Sequence, residues 1–80
     1  MTGEPESFQA LTARLSRGER PRLVARLTRI FGAAHLSLAE DAVQEAFVAA
    51  LELWGARGVP DEPAAWLLTV ARNRALDRLR

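Results

Sequence analysis

Residues 37–54, SLAEDAVQEAFVAALELW, decide the fold class. At 100° per residue, Val43, Ala46, Phe47, Ala50 and Trp54 gather on one side, while Asp41, Gln44, Glu45, Val48 and Glu52 gather on the other. That is the period of a helix that buries one face and shows the other. Its start carries a capping signal, Ser37-Leu38-Ala39-Glu40, in which a Ser N-cap and a Glu three residues on can satisfy each other's backbone N–H groups. Gly55, Gly58 and Pro60 then stop the pattern, so Gly55 to Glu62 reads as a surface loop.

Outward from this helix the rest of the chain is helical too. Upstream, Pro21 suits a first helical position, Leu23, Leu27, Ile30 and Phe31 form a core stripe, Arg22, Arg26 and Arg29 form a basic one, and Gly32 suits the C′ position. Before that, Ser7 can cap a short helix with Phe8, Leu11 and Leu15 on one side, ending at Gly18. Downstream, Pro63 opens a last helix with Leu68, Ala71, Ala75 and Leu79 along its core side. No run of alternating β-branched residues is long enough for a strand. The expectation is an all-α bundle of three main helices plus a short N-terminal helix, with residues 1–19 as an N-terminal segment and 20–80 as the helical domain.

Composition bounds the chemistry. Eighty residues, 49% of them hydrophobic, suffice for one core, held by packing alone at a net of roughly 4 to 12 kcal/mol. With no cysteine there is no thiol redox chemistry and no thiolate metal site, and the single histidine, His35, has no neighbouring nucleophile or second base. Glu40, Asp41 and Glu45 lie close on one helix, but neither a Glu-x-x-His pair nor a second acidic helix accompanies them, and no glycine-rich phosphate loop is present. Enzyme activity has little support, and no cofactor, metal or small-molecule substrate is implied. No apolar run approaches a membrane span, and Met1 to Ser7, with Glu4 and Glu6, is acidic where a signal peptide would be basic, so the chain reads as cytoplasmic.

The net charge of +1 conceals a strong pattern. All eleven basic residues are arginine, which base composition could produce, as the fifteen alanines could. Residues 14–29 hold six arginines against Glu19, residues 40–52 hold four acids and no base, and residues 72–80 hold four arginines against Asp77. The acidic stripe has no arginine at i+4 to relieve it, so it is either a plain solvated face or a docking surface for a basic partner. On the last helix, Trp66, Thr69, Asn73, Leu76 and Arg80 lie away from the core stripe, with Arg72 beside Asn73. An indole, a hydroxyl, an amide and guanidinium groups can stack on unpaired bases and hold phosphates. Trp66 can equally pack against a neighbouring helix, and Arg74 and Arg78 can be ordinary solubilising residues.

The ordered set Ala39-Glu40-Asp41-Ala42-Val43-Gln44-Glu45-Ala46-Phe47, a Gly/Pro loop, then Trp66-Leu67-Leu68-Thr69-Val70-Ala71-Arg72-Asn73-Arg74-Ala75-Leu76-Asp77-Arg78-Leu79-Arg80 resembles region two of bacterial RNA polymerase sigma factors. The likeness is to the extracytoplasmic-function (ECF) group of the sigma-seventy family and covers residues 20–80. It implies that Asp41, Gln44 and Glu45, with Val48 among them, dock on the clamp helices of the polymerase β′ subunit. It also implies that the loop before the last helix and Asn73 capture a flipped base of the minus-ten promoter element in the non-template single strand. Trp66 would lie near the point of strand opening with Thr69 on the same face, and Arg57, Arg72 and Arg80 would hold phosphates. An anti-sigma factor is a further partner the resemblance allows, and a membrane is not. Full-length family members continue into a linker and a helix-turn-helix region four, so a chain ending at Arg80 is expected to be a region-two portion that binds DNA weakly by itself. The alternative is a small helical protein-interaction module with no DNA role. A duplex-reading helix-turn-helix needs a turn of ~3 to 4 residues, shorter than the loop at 55–62.

Overall fold

Two glycines divide the chain into helices. Gly32 and Gly58 have φ of +100° and +91° with extended ψ, a region essentially reserved to glycine, and each N–H bonds back to a carbonyl four residues earlier, Thr28 and Trp54 respectively. They close α1, Phe8–Phe31, and α2, Leu36–Arg57; α3, Pro63–Leu79, follows after a five-residue connection and opens on proline. The computed structural model describes residues 6–80, so the acidic reading of Met1–Pro5 lies outside the described residues. Helices and no strands make up those residues, an all-α bundle as expected. Among the described residues no helix is long and apolar enough to cross a membrane.

Four details of the sequence reading are corrected. The first two expected helices are one: α1 runs through Gly18 and holds Pro21 in its interior. Pro21 removes one backbone hydrogen bond, but it is exposed, and α1 is anchored on both sides of it, by Phe8 near its start and by the buried Leu23 and Leu27 beyond. Ser37 is not a cap. A 3₁₀ turn at Ala33–His35 leads straight into α2, with His35 N–H bonded to Gly32 O and Leu36 N–H to Ala33 O, so the helix begins at Leu36 and Ser37 lies inside its first turn rather than before it.

Gly55 lies inside α2, two residues before its last residue Arg57, and the loop shrinks to residues 58–62. That is still longer than a helix-turn-helix turn. On α3 the buried series is Leu67, Ala71 and Ala75: the two alanines of the expected stripe are buried, but Leu68 is half-buried and Leu79 exposed, as is Ile30 on α1. A shift of one residue turns a helix by 100°, and α3 leans on α2 through the Leu67 side.

Both α1 and α3 run antiparallel to α2. Phe8, opening α1, meets Gly55 near the end of α2, while Trp54 meets Trp66 at the start of α3 and Glu45 meets Arg74 near its end. Val43, Leu27 and Leu67, each fully buried and contributing about 1.5–3 kcal/mol of burial, form the centre. Ala39, Ala42, Ala46 and Ala50 of α2 and Ala71 and Ala75 of α3 are buried with them, and side chains this small let the two helices approach closely.

Candidate functional site

The outward face of α2 is not one surface but two slopes. Asp41 and Glu45 lean toward α3, where the Arg78 guanidinium reaches both carboxylates, Asp41 at 3.5 Å, and Arg74 approaches Glu45 at 3.7 Å. Gln44 and Val48 lean toward α1 and line, with Thr12, Phe47 and Leu51, a groove of about 280 Å³. Val48 and Leu51 are exposed there.

Two of the four acids that the sequence left for a basic partner to neutralise, Asp41 and Glu45, are therefore met within the chain, and Arg74 and Arg78 are not free solubilising groups. They lie on the α3 side that carries Ala71 and Ala75, one turn apart, which puts them over α2. That spacing was the available signal, visible only once the two helices are known to pack antiparallel.

The opposite side of α3 is open. Thr69, Arg72, Asn73, Leu76 and Arg80 are all exposed. Thr69 Oγ1 donates to the Ala65 carbonyl at 3.0 Å, which leaves its lone pairs facing outward, and no ion pair engages Arg72 or Arg80 among the described residues. Trp66 is half-buried and packs against the core, its ring set edge-on to Trp54 with centroids 5.3 Å apart and planes at 62°. Arg57, exposed as the last residue of α2, stands at the entrance of the loop that leads to this face.

No cluster of metal-binding side chains occurs among the described residues. His35 is half-buried at the start of α2 and makes no capping bond with its side chain. Near the start of α1 the Arg14 guanidinium, hydrogen-bonded at 3.0 Å to Glu6, holds that carboxyl below the usual carboxylate range, and Arg14 is raised in return. The arrangement can bind; it assembles no nucleophile with a base.

A family model described as Sigma-70 region 2 matches residues 15–80. An uncharacterized protein of Rhizobium meliloti (strain 1021) is 46% identical over 76% of this chain and 14% of its own length. The ECF RNA polymerase sigma factor SigK of Mycobacterium ulcerans (strain Agy99) is 34% identical over 100% of this chain and 50% of its own length. The chain thus spans half or less of the curated relatives it matches. No solved structure matches it.

Proposed function

The chain belongs to the sigma-70 region 2 family, in its extracytoplasmic-function group, and on that premise we propose that it is a cytoplasmic binding module of transcription initiation, without catalysis. One surface, on α2, docks on the β′ clamp helices of core RNA polymerase; the other, on α3, holds the unpaired non-template strand of the minus-ten element. The observation that carries this reading is the sorting of the α3 arginines. Arg74 and Arg78 turn to α2, while Arg72 and Arg80 stand exposed beside Thr69 and Asn73 and enter no ion pair among the described residues.

Such a face needs no chemistry to favour strand opening. Unstacking a base costs a few kcal/mol, and a site that hydrogen-bonds the flipped base and stacks on it returns about 1–3 kcal/mol per stacked base, so binding shifts the equilibrium toward the open strand. Asn73 supplies a donor and an acceptor for a base edge, Trp66 its half-buried ring, and Arg57, Arg72 and Arg80 the phosphate contacts. On the polymerase side, Gln44 and Val48 are the accessible anchors, and Asp41 and Glu45 act at the edge of the contact while tied to α3.

The test is binding of a single-stranded minus-ten-like oligonucleotide to the chain with and without Asn73→Ala. A preference over scrambled strands that the substitution removes supports base capture; equal affinity for all strands in the unsubstituted chain sinks it. For the polymerase side, Val48→Asp is expected to weaken capture of the β′ clamp helices at least tenfold. The exposed Val48 and Leu51 also suit a purely protein-binding module. Tight clamp-helix binding with no oligonucleotide preference would favour that second reading.

A further inference from the structure

The basic stripe of α1 has no part in the function proposed above, yet it borders the α3 face. A cleft of about 290 Å³ separates the middle of α1 from the first turns of α3, with Arg22 and Arg26 on one wall and the aliphatic side chains of Leu23 and Leu68 on its floor. Glu19 is the acid that lines it, and it is 3.7 Å from Arg22, whose own side chain remains 80% exposed. One turn beyond Leu68, on the same side of α3, stands Arg72; one turn beyond Arg26 on α1 stands the exposed Arg29. Arg26, Arg29 and Arg72 enter no ion pair among the described residues.

We propose that this α1/α3 cleft is a sequence-independent phosphate track, which carries the backbone of a nucleic acid from the α3 face across onto α1. The inference rests on the nucleic-acid reading of α3 and extends it to a second helix. Its chemistry favours phosphate. The guanidinium groups of Arg22 and Arg26 line the α1 wall and that of Arg72 stands one turn beyond the α3 wall, their planar forks matching phosphate oxygens, with Glu19 the carboxylate that lines the cleft. Its floor is aliphatic, with no aromatic ring to stack a base and no amide to read one, so the track holds backbone and leaves discrimination to Asn73. Continuity supports the same occupant, because Arg72, exposed on the open side of α3, stands one turn beyond Leu68 at the end of the cleft and next to Asn73 in sequence.

The experiment measures binding of a labelled single-stranded oligonucleotide to the chain by fluorescence anisotropy across a range of salt. Each single-strand phosphate neutralised contributes about 0.7 to the slope of log K against log salt, so Arg22→Ala with Arg26→Ala is expected to flatten the slope by about 1.4. That double variant should weaken cognate and scrambled strands equally, and Arg22→Lys with Arg26→Lys should keep the slope. Asn73→Ala should do the reverse of the double alanine variant, losing the preference with the slope intact.

An unaltered slope in the double alanine variant, with Asn73→Ala still erasing the preference, overturns the track and leaves the α3 reading standing. A wild-type chain with neither preference nor salt dependence overturns both. A poly-glutamate competitor that displaces the strand as well as a nucleic acid of equal charge would assign the cleft to an acidic protein and overturn the proposal.

Discussion

The ring of Phe8 lies against Gly55 so closely that a Cβ on Gly55 would stand 2.8 Å from Phe8 Cζ. Glycine occurs there because two helices meet, not because the chain turns. Gly55 in a helix interior costs about 1 kcal/mol relative to alanine. Gly55→Ala is therefore expected to stabilise a Phe8→Ala background by about 1 kcal/mol and to lose that gain in the wild type, where the ring must move. Urea denaturation of the four chains measures this, and equal effects in both backgrounds would dismiss the contact.

Pro21 interrupts the hydrogen-bond ladder of α1 without interrupting the helix. Restoring an N–H that can bond to the Arg17 carbonyl should strengthen the helix, so Pro21→Ala is expected to raise stability by about 1–3 kcal/mol. The thermal midpoint should rise accordingly. A lower midpoint would mean that the proline is required by its packing.

Arg78 and Glu45 make up the main link between the charged edges of α2 and α3. Both side chains are partly solvated, at 44% and 32% exposure, so solvent screening keeps their coupling near that of surface pairs. A double-mutant cycle of Glu45→Gln and Arg78→Gln should give about 0.5–1 kcal/mol, shrinking as salt is added. A coupling that does not respond to salt would contradict a solvated ion pair.

The small residues between α2 and α3 make volume, not hydrophobicity, the limiting quantity there. Ala75 is fully buried. Ala75→Leu adds apolar surface yet is expected to cost about 1–3 kcal/mol by forcing the helices apart. A stabilised variant in urea denaturation would show that the seam has room.

Glu6 and Arg14 give a pH signature. The carboxyl is held below its ordinary value, first by the hydrogen bond from Arg14 and then by charge attraction to it. A depressed carboxylate pKa contributes stability above the unfolded value and loses it as pH falls through the folded one. The pair is solvent-exposed and screened, so the signature is best read locally: in an NMR titration the Glu6 midpoint should rise in Arg14→Ala. An unmoved midpoint would exclude the contact in solution.

Much of the molecule was legible along the chain because it depends on local chemistry. Pro63 opens α3, Gly32 ends α1, and Val43, Ala46, Phe47, Ala50 and Trp54 are buried as the helical period requires. Gly55 was misread because a glycine needed for close approach and one needed for a turn look alike in sequence. Ser37 was misread because a capping pattern cannot report that a 3₁₀ turn already starts the helix at Leu36, one residue before it. The arginines of α3 were the hardest case. Arg72, Arg74, Arg78 and Arg80 differ in sequence by spacing alone, and a one-residue rotation decides which of them meets carboxylates.

By itself the sequence determined the helical class, the main apolar face of α2, and the motif residues that mark the family, all of which follow from period, capping residues and residue identity. Tertiary structure alone decided that Asp41 and Glu45 are bound to α3 while Gln44 and Val48 stay accessible, and that Arg22 and Arg26 face Leu68 across a cleft. The physical reason is that charge pairing and exposure are set by how helices rotate and cross, and that rotation is fixed by packing small residues such as Ala46 and Ala71 into one core.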